Sequence, residues 1–206
     1  MLIEEGGARI LMDPGVWSGD QFKKVENLDA ILITHEHPDH FDVETLKIIV
    51  KNNPEAKIFT NHGVGKVLTK NGISLELLEN GQTQTVKGIK IEAFGEKHKL
   101  IYPSYPIVDD TGYLIAEKFY YAGDAFHIPG KNVEVLALPL YSPWATFADV
   151  IDYAKAVKPN VCIPVHDAVL KRDAPYYSFP HVRAPEILSQ ENIKFIDLEE
   201  GKAYEF

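Results

Sequence analysis

Residues 33–40, with the sequence ITHEHPDH, constrain this chain more than any other segment, because they place three histidines, a glutamate and an aspartate within eight positions. The run that precedes them, AILI at residues 30–33, is apolar enough to form a buried strand. Polar side chains of this kind are normally solvated. A cluster of them at the end of a core strand therefore needs a compensating partner, and a metal cation is the first candidate.

The spacing within this loop suits metal ligation. In an extended segment, side chains two positions apart point the same way, so His35 and His37 can face one ion. Pro38 then bends the chain and directs Asp39 and His40 toward a neighbouring position. One short loop can thus begin two adjacent metal sites, but it cannot complete them.

Three distant residues are candidates to complete the sites. His98, Asp124 and His166 each follow a run that predicts an apolar strand, which is the same context as that of His35. Strand ends that open on one rim would form a rigid, shared site of the kind that metal chemistry requires.

Strands predominate in the predicted secondary structure, and helices recur between them toward both ends of the chain. We predict that Asp42 caps a helix through about residue 51 and that Thr146 caps one through residue 157. The order of elements predicts an α/β fold with four layers (αββα), in which two sheets pack face to face and helices cover them. We expect a single domain over residues 1–206. Predicted strands are 1–4, 8–12, 29–33, 57–60, 75–78, 83–86, 89–94, 113–116, 119–121, 133–138, 161–165, 193–198 and 203–206, and further predicted helices are 63–70 and 184–190.

The net charge and the composition limit the classes of binding partner that we expect. The formal net charge of −9 argues against nucleic acid or an anionic membrane as a partner, since no basic run offsets it. The single cysteine, Cys162, excludes an intrachain disulfide. The sequence contains no signal-peptide pattern and no apolar run of membrane-spanning length, so we expect a cytoplasmic protein that acts on a small molecule.

The motifs together resemble the metallo-β-lactamase superfamily. The order H-x-H-x-D-H, distant His, Gly-Asp, distant His appears here as ILITHEHPDH, GEKH, YYAGDAF and KPNVCIPVHD, with ILMDPG ahead of them. Within the superfamily the chain is similar to the hydrolase branch that includes ascorbate-6-phosphate lactonase and the phospholipase D acting on N-acyl-phosphatidylethanolamine.

This resemblance implies a role for each candidate ligand. It implies a first metal held by His35, His37 and His98, a second held by Asp39, His40 and His166, and Asp124 as a bridge between the two. It also implies that Asp13 supports the ligands and that Asp39 handles protons during catalysis. The expected cofactors are two divalent ions, zinc first, with manganese or iron as alternatives for an imidazole and carboxylate set.

The start of the chain departs from the family. Relatives usually begin with a further strand that ends in Gly-His, ahead of the segment that matches MLIEEGGARI. Compared with those relatives, the first strand of the sandwich is therefore expected either to be absent or to have been lost by truncation of the chain. An exposed sheet edge would then need a cover, which makes a homo-oligomer an expected assembly.

Aromatic residues near the proposed ligands are candidates for the substrate pocket. Tyr105, Tyr141 and Trp144, with Tyr102, lie in proline-containing loops, and His127 follows Asp124 by three residues. For the aromatic residues, packing over the sheet rim is an equal alternative. His62 and His181 are interpreted as ordinary histidines.

The sequence thus predicts a metal-dependent hydrolase in which a hydroxide bound by two metals cleaves a small ester, lactone or phosphodiester. The alternatives are an iron-dependent redox protein on the same fold, a nuclease, and a binding module that retains metal without turnover. The nuclease is disfavoured because this acidic chain has little room for a further domain or a basic clamp.

Overall fold

The computed structural model describes residues 1–167, 170 and 178–206 and contains two sheets. The first sheet has the strand order β1-β2-β3-β4-β5. Its strands are β1 (Leu2–Glu5), β2 (Ala8–Met12), β3 (Ala30–Leu32), β4 (Lys57–Thr60) and β5 (Glu76–Leu77). Only the β1–β2 pair is antiparallel; the other three pairs are parallel.

The second sheet has seven strands, and its chain order runs across the sheet from one edge to the other. Its strands are β6 (Thr83–Val86), β7 (Ile89–Phe94), β8 (Gly112–Ile115), β9 (Phe119–Tyr121), β10 (Val135–Pro139), β11 (Val161–Val165) and β12 (Lys194–Phe195). Pairs from β6 to β9 are antiparallel, and pairs from β9 to β12 are parallel.

Helices cover the outer face of each sheet, so the predicted four-layer arrangement is confirmed. The helices are α1 (Gly19–Phe22), α2 (Val43–Asn52), α3 (His62–Lys70), α4 (Phe147–Val157) and α5 (Ser178–Leu188), which a 3-10 turn at Ser189–Glu191 follows. No helix in the described part of the chain is long and apolar enough to cross a membrane.

Alternation along the strands separates the layers of the core. In β2, Ile10 and Met12 enter the cluster between the sheets, whereas Leu11 packs in the cluster beneath α2 and α3. Successive side chains of a strand point to opposite faces, so an apolar strand of this kind must be covered on both faces. This arrangement explains why β3 is buried throughout and why β2 is buried at every residue except Arg9, which is partly exposed.

Both predicted helix caps are confirmed. The Asp42 side chain accepts a hydrogen bond from the Thr45 amide at 2.8 Å and caps α2. Thr146 forms a reciprocal capping box with Asp149 at the start of α4. Such caps satisfy backbone donors that the first turn leaves unpaired.

The C-terminal predictions were less accurate. Residues 203–206 form no strand and are exposed, because β-forming side chains alone do not supply a hydrogen-bonding partner. The strand predicted at 193–198 is reduced to β12. The last helix begins at Ser178 rather than at residue 184, since Pro180 lies in its first turn, where no amide donor is needed. The short helix α1 was not predicted from the sequence.

Candidate metal centre

The sheets bring the loops that carry the proposed ligands to one rim. Since β7, β8 and β9 are successively antiparallel, β7 and β9 run in the same direction, and β11 shares it through β10. The chain therefore leaves β7 toward His98, β9 toward Asp124 and β11 toward His166 at the same edge. The loop after β3, with His35, meets them from the other sheet.

Three histidines form a first cluster. His35, His37 and His98 each offer a ring nitrogen, and these nitrogens lie within 4.8 Å of one another. The ring of His37 lies 4.8 Å from that of His35 and 4.7 Å from that of His98, measured between centroids. Three imidazole nitrogens at this spacing suit a zinc-like cation.

A second cluster adjoins the first and contains Asp39, His40, Asp124 and His166. His166 Nε2 lies 3.2 Å from Asp39 Oδ2 and 3.2 Å from Asp124 Oδ2. His40 Nε2 lies 3.3 Å from Asp124 Oδ1. The two clusters are in contact, with the His35 and His40 ring centroids 4.1 Å apart.

Asp124 lies between the clusters. Its Oδ2 is 3.2 Å from Nε2 of His166 in the second cluster and 3.5 Å from Nε2 of His98 in the first. The structure thus brings all seven predicted ligands together, including His98, and puts Asp124 where a bridging carboxylate would lie.

Several nitrogen and oxygen atoms of these side chains are available to bind a metal. The buried Nε2 atoms of His35, His98 and His166, together with Asp124 Oδ1, have no hydrogen-bond partner within the chain. Buried polar atoms are rarely left unpaired, so several that converge on one region indicate a ligand that binds there. Imidazole and carboxylate donors suit zinc, and also manganese or iron.

The opposite nitrogen of each of these rings is already bound. His35 Nδ1 lies 3.0 Å from the Thr34 hydroxyl oxygen, His166 Nδ1 lies 2.7 Å from the carbonyl oxygen of Tyr141, and His98 Nδ1 contacts the carbonyl oxygen of Lys99. Contacts of this kind fix the ring orientation and the tautomer of a metal-binding histidine. They leave Nε2 as the free donor.

The electrostatics of the two clusters differ. Burial, together with the neighbouring His40, lowers the pKa of His35 well below its usual value. Burial would also lower the pKa of His166, but its contacts with Asp124 and Asp39 outweigh that effect and raise this pKa to about 10. The neutral ring of His35 is therefore ready to accept a cation at neutral pH, whereas His166 must lose a proton first.

Asp13 supports the second cluster. Its Oδ2 lies 2.7 Å from His40 Nδ1, and its two carboxylate oxygens also accept hydrogen bonds from the Thr34 amide and hydroxyl. Burial alone would lower the pKa of His40, but the charges of Asp124 and Asp13 raise it well above its usual value. The carboxylate thus links the loop after β3 to the ring of His40.

Asp110 is a residue of the site that the sequence did not reveal. Its fully buried carboxylate accepts a hydrogen bond from the Asp124 amide at 2.8 Å, and Oδ2 lies 3.4 Å from His35 Nδ1. Burial and the charge of Asp124 raise the pKa of this carboxyl well above its usual value. Gly123 passes so close to it that a Cβ atom there would overlap Asp110 Oδ1. One side chain therefore touches a residue of each cluster.

Trp144 lies within the site but is buried rather than open to a pocket. Its indole nitrogen donates a hydrogen bond to Asp124 Oδ2 at 2.8 Å, and its ring packs against His98 and Phe126. This position orients the carboxylate between the clusters. Its predicted contact with substrate stays a prediction.

The other predicted pocket residues are more peripheral. Tyr102 and Tyr105 are 63% and 62% exposed, and Tyr141 touches the site through its backbone carbonyl to His166. The ring of His127 packs against Gly95, where a Cβ atom would overlap it, and its carbonyl accepts the hydroxyls of two buried tyrosines. Their roles in substrate binding also stay predictions.

The two histidines interpreted as ordinary belong to neither cluster. His62 pairs with Glu79 on the surface, with Nδ1 2.6 Å from Oε1. The His181 ring lies between Asp167 at 2.9 Å and Asp197 at 3.3 Å.

Known proteins share both the sequence and the fold. Residues 1–166 match the family described as the beta-lactamase superfamily domain. The chain is 34% identical over 179 residues to protein Rv0786c of Mycobacterium tuberculosis, which covers 84% of this chain and 82% of the relative. It is 26% identical over 174 residues to the UPF0173 metal-dependent hydrolase Ta0764 of Thermoplasma acidophilum, covering 78% of this chain and 76% of the relative.

Among solved structures, Igni18, a metallo hydrolase from the archaeon Ignicoccus hospitalis, superimposes with a TM-score of 0.73 at 23% identity and covers 100% of this chain and 94% of its own. At that identity the likeness establishes the fold. The match over residues 1–166 carries the family assignment. The chain belongs to the metallo-β-lactamase superfamily.

Proposed function

We propose that this chain is a single-domain, metal-dependent hydrolase that holds two divalent cations at the rim between its sheets. The observation that carries the proposal is the convergence of unpaired, buried donor atoms from His35, His98, His166 and Asp124. The names of relatives such as Ta0764 support hydrolysis as the reaction class.

The proposed division of ligands follows the two clusters. His35, His37 and His98 would hold one cation, and Asp39, His40 and His166 the other, with Asp124 shared. Divalent cations held by these residues would supply Lewis-acid chemistry: bound water would have a pKa near 7, and the scissile carbonyl or phosphoryl group would be polarised.

The chain itself supplies position and proton transfer. Trp144 and the Asp124 amide contact with Asp110 hold the shared carboxylate in place. Asp39 is half-buried, and its contact with His166 outweighs burial and lowers its pKa, so it stays ionised beside the reacting atoms. Its proposed role in handling protons is the one that the family resemblance implies. The proposed substrates are small esters, lactones or phosphodiesters, as in the branch that includes ascorbate-6-phosphate lactonase.

Metal analysis combined with a substrate screen tests this function. Protein dialysed against zinc, manganese or iron(II) should bind two equivalents of one metal and hydrolyse at least one generic lactone, ester or phosphodiester. Asp124→Ala should bind close to one equivalent and lose hydrolysis. Full metal content and activity in that variant would contradict the proposal that Asp124 is shared between the two cations. Dioxygen consumption by the iron form, without hydrolysis, would favour the redox alternative instead.

A further inference from the structure

A cavity of about 250 Å³ opens beside the second cluster, on the side away from His37 and His98. Asp39, His40 and His166 form one wall of it, so a group placed in the cavity would adjoin the proposed reaction centre. The remaining wall residues are Met1, Asp13, Trp17, Ser18, Phe22, Tyr121 and Val165.

The wall opposite the ligands is mostly apolar. Trp17, Phe22, Tyr121 and Val165 present rings and methyl groups, and among the residues that the structure describes no lysine or arginine lines the cavity. Proteins hold phosphate and carboxylate groups with arginine, lysine or backbone amides. This wall therefore suits an apolar group, whereas the raised pKa values of His40 and His166 leave positive charge on the wall that the ligands form.

The cavity volume determines how much of a bound apolar group is covered. A dry protein cavity of about 150 Å³ binds benzene, which has six carbons. By proportion, a cavity of about 250 Å³ accommodates roughly ten carbons. A phenyl ring or a medium-length acyl chain would be covered to this extent, whereas the end of a longer chain would extend past the open Trp17 rim into solvent.

Trp17 is the residue best placed to respond to such a group. It lies on the loop between Asp13 and α1 and is 64% exposed, so its ring forms part of the rim. A bound apolar chain would bury part of this ring and gain free energy with each methylene removed from water. Phe22, in α1, is half-buried deeper along the same wall.

We infer that the preferred substrate is a carboxylic ester whose uncharged, apolar acyl group enters this cavity against Trp17 and Phe22, with roughly its first ten carbons covered. The inference rests on the proposed hydrolase function. In the reaction, the oxygen of water forms a bond to the acyl carbon, the ester C–O bond breaks, and the alcohol leaves with a proton.

A series of p-nitrophenyl esters tests the inference with the metal-loaded protein. The leaving group is constant, and the acyl group lengthens from acetate to dodecanoate. We expect kcat/KM to rise with chain length to about C8–C10 and then to level off or fall. Trp17→Ala and Phe22→Ala should each lower kcat/KM for the octanoate ester about tenfold more than they lower it for the acetate ester.

Two controls make the test specific. Trp17→Phe keeps an aromatic wall and should retain most of the chain-length preference. Phe206→Ala removes a ring that is 52% exposed at the other end of the chain and outside the cavity, and should leave the profile unchanged. Because Trp17 and Phe206 are both exposed, thermal denaturation should show folded protein for both alanine variants.

The outcomes separate the inference from the proposed function. Faster hydrolysis of bis(p-nitrophenyl) phosphate than of every ester, or a flat chain-length profile, would overturn the inference and leave a hydrolase. An equal effect of Trp17→Ala on all esters would also overturn it. No metal-dependent hydrolysis of any ester or phosphodiester would overturn the proposed function itself.

Discussion

Asp110 illustrates what a single buried side chain contributes to this centre. It contacts Asp124 through a backbone amide and His35 through the ring, so it joins the two clusters without being a proposed ligand. Supporting acceptors of this kind set the orientation of ligands, and their loss typically costs 10–100-fold in metal affinity.

We expect Asp110→Ala to weaken metal binding 10–100-fold, as measured by competition with a chelating dye. The free energy of unfolding of the metal-free protein should also fall by about 1–3 kcal/mol, because the Asp124 amide would be buried without an acceptor. Asp110→Asn keeps an acceptor oxygen and should lose less in both measurements. Wild-type metal affinity and stability in the alanine variant would show that Asp110 is incidental.

Such residues are the ones that sequence patterns miss. Asp110 lies in a polar loop, and its importance depends on the approach of Gly123, which a one-dimensional pattern does not encode. In contrast, the crowding of ligands in residues 33–40 is local, and it indicated metal chemistry directly.

At the scale of elements, the histidine loop is held by close packing against the segment after β2. The Val16 amide donates a hydrogen bond to the Pro38 carbonyl at 2.8 Å, and a Cβ atom on Gly15 would overlap the carbonyl oxygen of Asp39. Only glycine permits this approach. The second cluster therefore depends on a backbone contact as well as on its ligands.

We expect Gly15→Ala to displace the loop at Asp39 and reduce bound metal from two equivalents toward one, with the first cluster retained. Metal content of purified protein by elemental analysis measures this. The matched control is Gly63→Ala near the start of α3, where the new Cβ would approach no atom closer than 3.3 Å. Equal metal content in the two variants would contradict the proposed role of the contact.

Elements that depend on neighbouring residues could be predicted from the sequence. Caps at Asp42 and Thr146 depend on side chains three residues apart, and strand alternation around Leu11 depends on its nearest neighbours, so both are visible in the sequence. The strand wrongly expected at 203–206 had suitable residues but no neighbouring strand. Pairing across a sheet is a tertiary property that local preference does not decide.

For the whole molecule, metal binding and folding should be linked through pH. The folded pKa of His166 is raised to about 10 from a usual 6.5. Its proton therefore stabilises the metal-free fold fully below about pH 6.5, and this contribution is lost as the pH rises toward 10. A cation requires the neutral ring, so binding releases that proton and strengthens with pH.

We expect the increase in Tm on adding zinc to grow between about pH 6.5 and 8.5, measured by thermal denaturation with and without chelator. His166→Gln should flatten this dependence. An increase in Tm that shrank as the pH rose would contradict the assignment of a protonated His166 in the metal-free state.

The proposed hydrolase function depends above all on two cations that bind at one rim of the sandwich. Anomalous diffraction from crystals of the metal-replete protein, collected at the absorption edge of the bound metal, tests this most directly. We predict two peaks about 3.5–4 Å apart, one among His35, His37 and His98 and one among Asp39, His40 and His166, with Asp124 between them. A single peak, or peaks away from these side chains, would contradict the proposed site for two cations.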